Sequence, residues 1–152
     1  MLAQRVFASA LLLVCAGLAA RQGVILAFET METEFMNTVA KAMHYVRLID
    51  SPYLQIYPDL GNITNAALAS GVSVERDLLC GRGHLVALHL KESLPGVFRE
   101  VPYGSGHVDF DAAIRTARSL GVGLYLAEFW DTGRDDWRVQ LRQAHDFLRS
   151  RL

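Results

Sequence analysis

The sequence predicts an α/β protein built on parallel strands. Three observations predict it. Four short apolar segments are rich in β-branched or aromatic residues, helical periodicity fills the intervals between them, and a metal-competent side chain closes each apolar segment at near-regular spacing.

The strands are expected at Val24–Phe28, Tyr53–Tyr57, Leu85–Leu88 and Leu124–Ala127, each followed by turn-forming residues. Strands buried on both faces read as near-continuous apolar runs, as these do, and not as strict alternations. Between them, Phe35, Val39, Met43 and Val46 fall on one helical face, as do Trp137, Leu141, Ala144 and Leu148. Phe110, Ile114 and Ala117 mark a further helix, which Asp109 caps at its start and Gly121 ends. A shorter helix is expected over Val74–Leu79. Alternation of this kind is what a parallel sheet requires, because each crossover must return the chain to the same edge.

The amino terminus admits two readings. Arg5 followed by the apolar stretch Val6 to Ala20, with small residues near Ala19, resembles a signal peptide spanning residues 5–20. The favoured reading is a buried amphipathic helix that ends at Gly23, with Arg21 and Gln22 in its last turn, and leads directly into the first strand. The run is too short for a membrane span, which takes about 20 apolar residues. A cytoplasmic protein is expected.

With 152 residues, 51% of them hydrophobic, the chain can bury the core of a single domain, 1–152. Its 15 basic and 16 acidic residues are dispersed, so nothing marks a nucleic-acid or anionic-membrane surface. Cys15 and Cys80 form no disulfide framework or zinc-finger spacing and are expected as buried reduced thiols.

The chemistry is expected at the strand ends. Glu29, Asp59, His89 and Glu128 stand at or just after the last residue of the four apolar segments, 30, 30 and 39 residues apart. One βα unit per interval places them at the same level, at the carboxyl ends of successive parallel strands. Three carboxylates and one imidazole suit a divalent ion such as Mn²⁺, Mg²⁺, Co²⁺ or Zn²⁺. Each residue alone admits an ordinary role: Glu29 as a helix cap, Asp59 in a turn, Glu128 in an ion pair, His89 as a hydrogen-bonded core residue. Those roles explain the residues singly but not the repeat.

The stretches Leu26-Ala-Phe-Glu-Thr30, Gln55-Ile-Tyr-Pro-Asp-Leu-Gly-Asn62, Ala87-Leu-His-Leu-Lys91, Pro95 to Gly106, Val108-Asp-Phe110 and Leu126-Ala-Glu-Phe-Trp130 resemble the L-ribulose-5-phosphate 3-epimerase family. That family belongs to the xylose-isomerase-like TIM barrels and acts in L-ascorbate and related pentose catabolism. The resemblance implies that Glu29, Asp59, His89 and Glu128 are ligands of one divalent metal, and that Glu29 and Glu128 double as acid and base. The substrate it implies is a small phosphorylated ketopentose. Asn62 occupies a position where the similar D-tagatose 3-epimerases carry a substrate-contacting histidine.

For the phosphate, Lys91, Arg99, Gly104 and Gly106 follow the strand presenting His89, where barrels often bind phosphate through backbone N–H groups. The same residues serve equally as surface charges and turn glycines. Aldose-ketose isomerases and phosphodiester-cleaving nucleases share this barrel, but the single His89 and the absent basic excess fit them less well.

A complete (β/α)₈ barrel takes about 250 residues. Four strands here predict a partial barrel, the carboxyl-terminal half of the family domain, with residues 1–11 a divergent start. Such a half has two open sheet edges, and it is expected to form a homo-oligomer or to associate with an amino-terminal half.

Overall fold

The computed structural model describes residues 2–131, 133 and 135–152. The chain opens with helix α1 (Leu2–Gln22), stopped at Gly23, whose φ of +65° is the left-handed geometry glycine adopts without strain. Strand β1 (Leu26–Glu29) leads through a 3₁₀ turn (Glu34–Met36) to α2 (Val39–Ile49), β2 (Leu54–Tyr57), α3 (Leu60–Ser70) and α4 (Val74–Cys80). Strand β3 (Leu88–Leu90), α5 (Phe110–Ser119), β4 (Tyr125–Ala127) and α6 (Trp137–Arg149) complete it. Strand and helix alternate as expected for a barrel segment.

β1 pairs parallel with β2, and β3 with β4. Parallel bridges Ile56 to Leu85 and Asp59 to His89 join the two pairs, giving the spatial order β1-β2-β3-β4. Between these bridges the β2 side advances three residues and the β3 side four. The extra residue acts as a bulge and changes which face the following side chains occupy. Ile56 and Leu85 face the helices, yet His89 stands opposite Asp59 on the other face.

The core lies between the sheet and the helices. Leu54, Ile56, Leu88 and Leu90 point into it from the strands, and Val39, Met43, Val46, Leu78, Phe110, Ile114 and Ala117 from the helices. α2 packs between α1 and α4, and α4 packs on α5. Asp77 of α4 fixes one of these junctions: its two carboxylate oxygens accept the Val39 and Ala40 N–H groups at 2.8 and 3.0 Å, capping α2 from outside. Burial pushes the Asp77 carboxyl above its usual range, although both N–H bonds pull the other way.

Several expectations are corrected. Phe35 sits in the 3₁₀ turn, not on the α2 face, and is exposed. In α6 only Ala144 and Leu148 are buried, while Trp137 and Leu141 are exposed. α1 is a helix but not a buried amphipathic one: Ala16 and Ala19 face the core, and Leu11, Leu13, Val14 and Leu18 face outward. The side chains of residues 1–8, Arg5 and Val6 among them, lie outside the described residues. The third strand is Leu88–Leu90, with His89 in its middle, because the segment from Leu85 contributes only one bridge to β2. Helix α3 (Leu60–Ser70) is an element for which no residues were singled out, and the turn weighed as an ordinary role for Asp59 is its first turn. Asp59 is in fact its N-cap, with the carboxylate accepting the Asn62 N–H at 2.7 Å. Both cysteines are free thiols, but Cys80 is exposed and Cys15 only half-buried.

Asp77→Ala leaves the Val39 and Ala40 N–H groups without their buried acceptor. It is expected to lower the unfolding free energy by about 2–3 kcal/mol, read from urea denaturation, with Asp77→Asn costing less.

Candidate metal centre

The register of the sheet brings the predicted residues together. Glu29 pairs with Tyr57 across β1 and β2, and His89 with Leu126 across β3 and β4. With the Asp59–His89 bridge, this sets Glu29, Asp59, His89 and Glu128 on one face at the carboxyl ends. One ligand atom from each lies within 4.8 Å of those from the other three. The four strand-end residues therefore form one cluster.

The bonds inside the cluster show how its charge is held. His89 Nδ1 lies 2.6 Å from Glu128 Oε2 and 3.0 Å from Glu29 Oε1. The Tyr57 ring meets the His89 imidazole edge-on, with centroids 4.0 Å apart, and limits its rotation. Lys91, only 4% exposed, places Nζ 3.3 Å from Asp59 Oδ1 and 3.4 Å from Glu128 Oε1.

Protonation follows from these neighbours. Burial alone would lower the His89 pKa, but the Glu128 hydrogen bond and the charges of Glu29, Glu128 and Asp59 outweigh it, and the imidazole is shifted upward. The same His89 bond holds the Glu128 carboxyl below its usual range against burial, with Lys91 helping. Asp59, fully buried, is pushed up to about 7 by desolvation despite Lys91 and the Asn62 N–H. Burial, then Glu29 and Glu128, raise Tyr57.

The donor set fits a divalent cation. Asp59 Oδ2 is buried with no hydrogen-bond partner, an arrangement that a positive charge at the centre would satisfy. Carboxylate oxygens and one imidazole nitrogen are the donors expected for Mn²⁺, Mg²⁺, Co²⁺ or Zn²⁺. Thr30 supports the set from behind: its hydroxyl accepts the Asp59 N–H at 2.9 Å, and its carbonyl accepts the Asn62 side-chain amide at 2.7 Å.

The residues considered for phosphate lie in different surroundings. Lys91 turns into the carboxylate cluster and not toward solvent. Asn62 is buried, its amide committed to Thr30. Arg99 is largely exposed, stacked 4.5 Å over the Trp130 ring with Nε 2.7 Å from Glu32. Gly104 donates its N–H to Glu92 Oε2 at 3.0 Å, and a side chain at Gly106 would meet the Ser93 carbonyl at 2.1 Å. Glu92 also accepts the Ser93 and Val108 N–H groups at 3.0 and 3.2 Å. The glycine turn is thus wrapped around the chain's own carboxylate.

Sequence reasoning overlooked Glu92, Tyr57 and Thr30. Only the adjacency of Thr30 to Glu29 and of Glu92 to Lys91 pointed to them. Tyr103 sets its hydroxyl against the carbonyls of Leu90 and Glu128 and so ties together the ends of β3 and β4. Beside Glu128 opens a cavity of about 290 Å³, lined by Lys91, Glu92, Tyr103, Glu128, Phe129 and Trp130 among others.

The putative L-ribulose-5-phosphate 3-epimerase UlaE of Shigella dysenteriae serotype 1 is 38% identical over 136 residues, which are 89% of this chain and 46% of that protein. L-ribulose-5-phosphate 3-epimerase UlaE of Escherichia coli O139:H28 matches to the same extent. The chain therefore spans about half the length of the curated relatives it matches. Among solved structures, the 3-keto-D-glucoside 4-epimerase YcjR from E. coli superposes with a TM-score of 0.75 at 23% identity, covering 93% of this chain and 52% of that one. An L-ribulose 3-epimerase gives 0.66 at 19% identity, covering 90% and 44%. At such identities the superpositions show the fold alone. The family model described as xylose isomerase-like TIM barrel matches residues 3–151, and the chain belongs to that family.

Proposed function

We propose that this chain carries the metal centre and the proton-transfer pair of a sugar-phosphate 3-epimerase acting between L-ribulose 5-phosphate and L-xylulose 5-phosphate. The carrying observation is the convergence of Glu29, Asp59, His89 and Glu128, together with a buried Asp59 Oδ2 that has no hydrogen-bond partner. The similarity to UlaE supports the substrate. One divalent cation held by these four residues would supply the positive charge that makes a proton alpha to a ketose carbonyl removable.

The chain's own residues do the rest. Inversion at C3 needs one group to remove a proton from one side of the carbon and another to return one from the opposite side, through an enediolate. Glu29 ends β1 and Glu128 follows β4, so the two approach from opposite sides of the cluster with β2 and β3 between them. His89 keeps Glu128 ionised and ready to accept a proton. Glu29 is the more exposed of the two and can exchange its proton with solvent. Which of them acts as base depends on the direction of reaction.

The cavity beside Glu128 is the space for the sugar, and Arg99, stacked on the lining residue Trp130, is the exposed cation offered for the phosphate. Lys91 is better placed for the sugar oxygens near the reacting carbon than for the phosphate. The Gly104 N–H is already taken by Glu92.

Three outcomes test this reading. Mn²⁺ at a hundredfold excess over its Kd adds about 2.7 kcal/mol to stability, a rise in melting temperature of roughly 5–10 °C. The rise is expected to be reversed by a chelator and lost in Asp59→Asn; a wild-type chain with no metal response removes the proposed centre.

In chelator, the raised Asp59 pKa means the folded state binds the extra proton. Its contribution to stability is fully present below pH 3.8 and is lost as pH rises through about 7. A urea-denaturation series across that window is expected to fall with pH in wild type and to be flatter in Asp59→Asn.

Turnover of L-ribulose 5-phosphate, measured with the barrel completed by the remaining half of a relative, is expected to drop about 10²- to 10⁴-fold in Glu29→Gln or Glu128→Gln. Metal retained without turnover in that assembly would leave the centre but reject the reaction.

A further inference from the structure

Lys91 stands immediately after β3, and its side chain runs into the carboxylate cluster. A lysine at a strand end ordinarily carries its ammonium to solvent, yet this one is buried. The room for it is made by Gly61 in the first turn of α3. A Cβ at that position would lie 3.2 Å from Lys91 Cε and 3.2 Å from the Lys91 carbonyl oxygen, so any larger residue crowds the lysine stem. Glycine is unfavourable inside a helix, and here its presence admits the lysine. The buried ammonium is thus a built feature of the packing of α3 on β3.

The ammonium divides its contacts between two carboxylates. Nζ lies 3.3 Å from Asp59 Oδ1 and 3.4 Å from Glu128 Oε1, taking one oxygen of each. Asp59 Oδ1 also accepts the Asn62 N–H at 2.7 Å, which leaves Oδ2 as the oxygen without a partner. On Glu128 the other oxygen, Oε2, lies 2.6 Å from His89 Nδ1. Each of the two carboxylates therefore spends one oxygen on Lys91 and has one to give. Charge balance agrees, because three carboxylates exceed a divalent ion by a single negative charge and the Lys91 ammonium offsets it. A bound ion does not require the lysine to leave.

The number of donor atoms separates the divalent ions. Ca²⁺ takes about six to eight oxygen ligands and draws on carboxylates that give both oxygens, whereas Mn²⁺ and Zn²⁺ are satisfied by fewer donors, imidazole nitrogen among them. We propose that Lys91 is a positioning residue that selects the metal: by holding Asp59 and Glu128 to one oxygen each, it sets the centre for a transition-metal ion such as Mn²⁺ and against Ca²⁺. The inference rests on the metal centre proposed above and adds what discriminates between ions there. His89 also disfavours calcium, but it does so with or without the lysine, so a change in preference on removing Lys91 belongs to Lys91.

The test measures Mn²⁺ and Ca²⁺ binding to the 152-residue chain by titration calorimetry, in wild type, Lys91→Met and Lys91→Gln. Methionine keeps an apolar stem without the charge. Glutamine keeps a buried polar head but is uncharged and too short to span both carboxylates, and it stands in where circular dichroism shows the methionine variant unfolded. Wild type is expected to bind Mn²⁺ more tightly than Ca²⁺, and in either variant the ratio of the two dissociation constants is expected to close by at least about tenfold. A residue needed only for folding would weaken both ions alike and leave that ratio unmoved. Mn²⁺ binding with an unchanged ratio in a folded variant, or wild type binding Ca²⁺ as tightly as Mn²⁺, overturns the role of Lys91 and leaves the centre standing. A wild-type chain that binds neither ion removes the centre and this inference together.

Discussion

The concentration of negative charge at the carboxyl ends of four parallel strands is the constraint on which the rest of the structure depends. Glu29, Asp59 and Glu128 converge on a half-enclosed space, and like charges so close together are costly unless positive charge stands among them. His89 and Lys91 provide it from within the chain. Their bonds account for the ionised Glu128 and the elevated His89, while burial, against the pull of Lys91, raises Asp59.

Holding that cluster occupies much of the surrounding chain. Thr30 and Asn62 lock the start of α3 to the end of β1, so Asp59 serves at once as helix cap and as candidate ligand. Tyr103 ties β3 to β4, and Glu92 gathers three backbone N–H groups from the turn behind them. Buried polar groups of this kind stabilise one arrangement because every alternative leaves some of them unsatisfied. The centre is rigid on the sheet side and open on the other.

That opening is the second physical theme. The helix-facing side of the sheet is well packed, with Leu54, Ile56, Leu88 and Leu90 enclosed, whereas on the side of the carboxylate cluster Ile25, Leu124 and Leu126 stay exposed among the described residues. A parallel sheet is ordinarily covered on both faces. The four candidate ligands come from the ends of the four strands, and Tyr103 and Trp130 wall the cavity beside Glu128.

The sequence by itself determined the α/β class, the positions of most helices and the four strand-end residues, because each leaves a local signal: an apolar run, a 3.6-residue period, a cap, a charged residue at a strand end. The family resemblance was legible in the same stretches. Tertiary structure alone decided the remainder. Asp59 became the start of α3 because Thr30, distant in sequence, holds its backbone. His89 reached the ligand face through one extra residue between two bridges, which no strand pattern reveals. Lys91 and Glu92, consecutive and ordinary in sequence, are turned to opposite duties by burial: one among the carboxylates, the other under the glycine turn. Local patterns report what a segment prefers, while facing, burial and charge balance exist only once segments are packed together.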